Sequence, residues 1–162
     1  STALGLNHTQ LKGRKILLEF DPATPYHRAV RDFALEAQAH GEAVVVLTPK
    51  ASVIRQTLQA DKGMEFITLT HQMTFSLILE PYEEKPLAVV CDSLTDLVFF
   101  MGFQPAYNFI RGTLDRLAGP SLTALFLFNP NAHPPSEAYR IRSLFGEQVT
   151  YGRNGLAQVK LT

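Results

Sequence analysis

The chain has 162 residues, 46% of them apolar, and a formal net charge of +0 from 15 basic and 15 acidic side chains. That is enough apolar material for one buried core, and the balanced charge gives no global field to gather nucleic acid or an anionic membrane. The lone cysteine, Cys91, excludes a disulfide framework within the chain and fits a reducing compartment. No apolar run approaches the roughly 20 residues that a bilayer span requires, and no basic-then-apolar segment opens the sequence, so a cytoplasmic domain without membrane contact is expected.

Residues Ser1–Lys12 are polar and mixed, without a convincing period, and read as an N-terminal arm or linker; residues 13–162 read as a single domain. Ile16-Leu17-Leu18 is the first apolar strand. Tyr26–His40 places Val30, Phe33, Ala34 and Ala37 on one face and stops at Gly41, which predicts a helix of about four turns. Val44–Leu47 is a continuous apolar run of the buried-strand kind. Ala51–Ala60 is a short helix with Val53, Ile54 and Leu58 inward, and Glu65–Thr70 is the third strand. Thr74–Tyr82 predicts another helix, closed by Glu83-Glu84-Lys85-Pro86.

Leu87–Asp92 is the fourth strand and ends on an aspartate. Phe103–Ala118 repeats Ala106, Phe109, Ile110, Leu114 and Leu117 at helical spacing before the Gly119-Pro120 stop. Leu122–Phe128 is a fifth strand hydrophobic enough to need cover on both faces. Pro134–Phe145 is the last helix, and Glu147–Tyr151 with Leu156–Leu161 form a hairpin around Arg153-Asn154-Gly155. Strands separated by helices of this length require right-handed crossovers and a parallel sheet between helix layers. The expected fold is therefore a three-layer α/β sandwich with a mainly parallel central sheet and a C-terminal antiparallel hairpin.

The first strand-turn-helix unit, from Lys15 to Leu47, has the layout in which a phosphate-binding loop G-x-x-x-x-G-K-[ST] sits. Phe20 and Pro25 stand where the glycines belong, Tyr26 where the lysine belongs, and His27 where the Ser/Thr belongs. The glycines allow backbone N–H groups to curl around phosphate, the lysine neutralises it and the hydroxyl holds Mg²⁺. Pro25 removes a donor and Tyr26 carries no charge. The chemistry of that loop is absent.

Three features nevertheless resemble the RecA/KaiC-like branch of the P-loop ATPase superfamily. They are the unit Ile16–Leu47 with Asp21, Pro22 and Thr24 in its turn, the strand Leu87–Cys91 followed by Asp92-Ser93-Leu94, and the strand Leu122–Phe128 followed by a polar loop, a helix and a terminal hairpin. The stretch Val89–Phe109 also looks like an archaeal family of KaiC-related domains of unknown function that accompany sensory modules. The resemblance implies that Asp92 corresponds to the aspartate at the magnesium shell. It also implies a glutamate after the second strand as general base, and Thr48-Pro49-Lys50 stands there instead.

The carboxyl ends of parallel strands are where ligands bind in open α/β sheets. Topology brings Asp21, Thr24, Asp92, Asn129, Asn131 and His133 to that edge, and these are the candidate ligand-binding residues. Asp92 has a structural alternative, accepting from the backbone N–H groups that open the next segment. Ser93 lies outside a G-x-S-x-G elbow, so no nucleophilic triad is expected. His8, His27, His40, His71 and His133 form no metal-ligand spacing, and no metal or other cofactor is expected. Phe99, Phe100, Met101 and Phe103 crowd one short segment and form a candidate interaction surface. Arg111, Arg116, Arg140, Arg142 and Arg153 form no basic run, which argues against nucleic-acid binding.

Taken together, the sequence points to a catalytically inactive RecA/KaiC-like regulatory or scaffold domain that acts in signalling through homo-oligomerisation or a protein partner. The alternative is a sensor that binds a nucleotide or another small molecule in the crevice at the strand ends.

Overall fold

A computed structural model describes residues 6–69, 79–82 and 85–160, with side chains as far as residue 156. The expected helix Thr74–Tyr82 lies mostly outside the described residues; within them, Glu80–Tyr82 forms a single 3₁₀ turn.

The elements run α1 (His8–Leu11), β1 (Lys15–Phe20), α2 (Tyr26–Ala39), β2 (Ala43–Thr48), α3 (Val53–Leu58), β3 (Met64–Thr68) and β4 (Leu87–Cys91), then α4 (Leu94–Met101), α5 (Phe103–Arg116), β5 (Leu122–Phe128), α6 (Pro135–Arg142), β6 (Glu147–Gly152) and β7 (Gly155–Lys160). The strands form one 7-stranded sheet in the order β3-β2-β4-β5-β1-β6-β7. All neighbours pair in parallel except β6 with β7, which close the chain as the expected antiparallel hairpin.

Alternation along the central strands explains the three layers, because successive side chains point to opposite faces. Leu18, Val46, Val90 and Leu127 meet Val30, Phe33 and Ala34 of α2 and Ile54 and Leu58 of α3 on one face. Leu17, Val45, Val89 and Phe126 meet Leu94 and Leu97 of α4, Ile110 of α5 and Ile141 of α6 on the other. Strands covered on both sides need unbroken apolar runs, and Leu87–Cys91 is buried throughout. Cys91 is one of these core residues, and burial holds its thiol far above the ordinary range.

The segment read as an arm is packed in its described part. Asn7 and Gln10 form a reciprocal capping box around α1, and Leu6 and Leu11 are buried in the core beneath α2. The His8 ring meets the buried carboxylate Glu42 and stacks on His40. A helix of 4 residues is too short to show a period, which is why this packing is not legible in the sequence.

The segment Leu94–Met101 is a helix in its own right. Ser93 caps it, and Gly102, at φ 84° and ψ 160°, ends it and starts α5. That backbone geometry is open essentially to glycine alone.

Candidate functional site

The connections after β1 and β2 run over the α2/α3 face, whereas those after β4 and β5 run over the opposite face. Chains that diverge in this way leave a crevice beyond the carboxyl ends of the strands. Here it is a cleft of about 310 Å³, with an apolar flank of Phe20, Pro22, Tyr26, Pro49 and Val53. Its polar flank is Ser52, Asp92, Ser93, Thr95, Asp96 and Asn129.

Asp92 is the centre of the polar flank and is only 4% exposed. Its Oδ2 accepts from the Thr48 hydroxyl at 2.6 Å and from the Ser52 hydroxyl. Ser52 in turn caps α3 by accepting from the Ile54 N–H at 3.0 Å. The carboxylate therefore ties the end of β4 to the end of β2 and the start of α3. Burial pushes its pKa up from the ordinary carboxylate range, against the two hydroxyl bonds and with the help of Asp96. Asp92 and Asp96 have no ion-pair partner among the described residues.

The capping role open to Asp92 belongs instead to its neighbour. Ser93 Oγ accepts from the Asp96 N–H at 3.2 Å and donates to the Asp96 carboxylate at 2.7 Å. The Asp92–Ser93 peptide bond is cis.

Asp21 and Thr24 are committed to their own turn. Asp21 Oδ1 accepts from the Ala23 N–H at 2.9 Å, and the Asp21 carbonyl accepts the Thr24 hydroxyl at 2.7 Å. Neither side chain lines the cleft. Tyr26 does line it: its ring lies on Phe20 with centroids 4.2 Å apart. Burial, with the charges of Asp92 and Asp96, pushes the Tyr26 phenol up to about 12.

The loop after β5 is held by Thr95 of α4. Its Oγ1 accepts from the Asn129 N–H at 3.0 Å, leaving its proton for His133 Nε2 at 3.0 Å. Burial lowers the His133 pKa, which keeps the ring neutral and able to accept. The ring is stacked on Phe128 and Phe99 at centroid distances of 5.0 and 5.8 Å. Asn129 Oδ1 accepts from the Asn131 N–H at 3.2 Å.

Of the residues expected at this edge, Asp92 and Asn129 therefore face the cleft, while Asp21, Thr24, Asn131 and His133 shape the turns around it. Ser52, Thr95 and Asp96 were not anticipated as lining residues. Two of them carried a local signal: Ser52 directly precedes an apolar helical pair, and Ser93-x-x-Asp96 is a capping-box spacing. Among the described residues, no group of three His, Cys, Asp or Glu side chains is arranged to hold a metal ion.

The aromatic segment divides in two. Met101 and Phe103 pack against the core. Phe99 and Phe100 stand 66% and 48% exposed on α4. Nearby, the Arg140 guanidinium lies over Phe103 and Tyr107, 5.1 and 4.4 Å from the ring centroids.

The fold and cleft define an open, mainly parallel α/β domain with its crevice at the carboxyl ends of the strands. A solved protein from Pyrococcus horikoshii OT3, the subject of a structural study under Project ID PH0250, shares this fold at a TM-score of 0.70 and 9% sequence identity, over 92% of this chain and 87% of that one. At that identity the likeness is one of fold. No protein-family model and no curated protein matches the sequence. Among the described residues, no helix is long and apolar enough to cross a membrane.

Proposed function

We propose that this is a RecA/KaiC-like regulatory or scaffold domain that has lost phosphoryl transfer. One observation carries the reading: among the described residues, the cleft at the strand ends is lined by Asp92 and Asp96 and by no lysine, arginine or histidine. A triphosphate entering it would meet two carboxylates and no compensating cation, against the usual logic of such sites. The turn Asp21–Thr24 directs its own N–H groups inward to Asp21, so they are not presented to an anion.

The scaffold role is assigned to self-association of this chain through the exposed Phe99 and Phe100 rings of α4. Adjacent exposed aromatics are typical contact anchors. Light scattering tests this reading: the native chain is expected to exceed the monomer mass, and Phe99→Ser with Phe100→Ser to return it to the monomer. A native chain that is monomeric at all concentrations would refute it.

A second reading, a small-molecule sensor, is supported by the open cleft and by the packing that holds Asp92 at its centre. Saturable ligand binding should then raise the melting temperature by linkage.

A further inference from the structure

Another buried acid, Glu42, stands directly before β2, at the amino end of the sheet and away from the cleft. Its side chain is only 3% exposed. Oε2 meets the His8 ring of α1, whereas Oε1 is buried and has no hydrogen-bond partner among the described residues. An unpaired buried carboxylate oxygen is costly, and buried polar atoms are nearly always satisfied by protein or by ordered water. The strand register shows what lies beside it. Val44 of β2 stands opposite Ala88 of β4, and Ala88 opposite Thr123 of β5. Val44 and Ala88 face α2, and Glu42, two residues before Val44, comes to the same face. The small Ala88 side chain leaves a gap there, a cavity of about 10 Å³ lined by Glu42, Ala88, Thr123, Phe33 and His8 among others. That is room for one water. Thr123, itself buried, supplies the complement to Glu42. Its Oγ1 accepts from the Gly13 N–H at 2.9 Å, and its own proton has no acceptor among the described residues. One orphan acceptor and one unspent donor thus line the same small space.

We propose that this cavity binds a single structural water, which accepts from the Thr123 hydroxyl and donates to Glu42 Oε1. Both ends of residues 8–13 are then tied to one polar chain, His8 through Glu42 and Gly13 through Thr123. The water completes a clamp that holds α1 to the amino end of the sheet, with Leu11 packed in the core beside it. A metal ion does not suit the space. Phe33, Ala37, Ala88 and Leu11 form much of its wall, and a cation would demand oxygen or nitrogen ligands on those sides as well. A bridging water needs only the acceptor and the donor that the strands bring together.

A high-resolution crystal structure of the intact chain tests the site directly. One ordered water is expected within hydrogen-bond distance of both Glu42 Oε1 and Thr123 Oγ1. No density there, a direct bond between the two side chains, or a peak coordinated as a metal ion would overturn the proposal. Amide hydrogen exchange reads the clamp itself. Glu42→Leu removes the acceptor and should expel the water. The Leu11 and Lys12 amides, which bond the Asn7 and His8 carbonyls, should then exchange roughly tenfold faster or more. Ala88→Ser should set its own hydroxyl in the water's place, so that the water is lost while exchange stays as in the native chain. A water that persists in Ala88→Ser would overturn the proposal, as would native exchange rates in Glu42→Leu. If Glu42→Leu does not fold, the native structure and Ala88→Ser decide between the same outcomes.

Discussion

Glu19 and Asp92 are buried carboxylates near the carboxyl ends of strands that flank β5, and the protein completes one and not the other. Glu19 receives a two-pronged contact from the Arg142 guanidinium, Nε to Oε2 at 2.7 Å and Nη2 to Oε1 at 2.8 Å, which joins β1 to α6. Asp92 receives two neutral hydroxyls on one oxygen and, among the described residues, no cation. A bidentate guanidinium satisfies both oxygens and the charge together. Hydroxyls hold a carboxylate in place but leave its charge uncompensated. The first arrangement is finished as structure, whereas the second lines the cleft.

The comparison can be broken most directly at Arg142. Arg142→Ala leaves Glu19 buried without its cation and should destabilise the fold by about 2 kcal/mol; the effect is smaller than for a fully buried pair because the Arg142 side chain is 39% exposed. Thermal unfolding should show a fall of about 5 °C. An unchanged melting temperature would mean that the pair contributes nothing.

Ser52→Ala comes next. It removes the α3 cap and one of the two Asp92 partners, and chemical denaturation should register a loss of about 1 kcal/mol.

A smaller effect lies in the response of Asp92 to pH. The Asp92 pKa is raised in the folded state, so the folded protein holds a proton more tightly than the unfolded chain. Its contribution is therefore most favourable below the ordinary aspartate range and is lost as pH rises through the raised value. Asp92→Asn should abolish that dependence, and the difference in stability between native and variant should widen toward neutral pH in favour of the variant. Denaturation curves at a series of pH values check the sign. A variant that loses more stability at pH 7 than at pH 4 would contradict it.

The smallest effect on stability is expected from Phe99→Ser with Phe100→Ser. Their exposure predicts a change of about 0.5 kcal/mol or less, with the association mass as the property that moves.

Much of the fold was legible because its strands are buried on both faces and read as unbroken apolar runs, Leu87–Cys91 and Leu122–Phe128 above all. The helix Leu94–Met101 escaped notice as a helix because it is apolar on nearly every side. Its Leu94, Leu97 and Val98 are buried, while Phe99 and Phe100 are not, so no amphipathic period emerges. The position of Asp92 was readable from its place at the end of an apolar strand. Its partners were not, because Thr48 and Ser52 lie 44 and 40 residues upstream and reach it only through the pairing of β2 with β4. Asp21 and Thr24 illustrate the reverse. Their roles are local, and Asp-Pro-x-Thr is a sequence whose side chains bond their own backbone, so the turn could have been read before any ligand was invoked.

The central claim is that this cleft does not receive a triphosphate, and calorimetric titration of ATP with Mg²⁺ into the purified chain tests it most directly. The account predicts no saturable heat for the native protein and none for Asp92→Asn. Saturable heat from the native protein that disappears with Asp92→Asn would contradict it, because Asp92 would then be holding the metal of a nucleotide whose triphosphate meets no cation of the protein in this cleft.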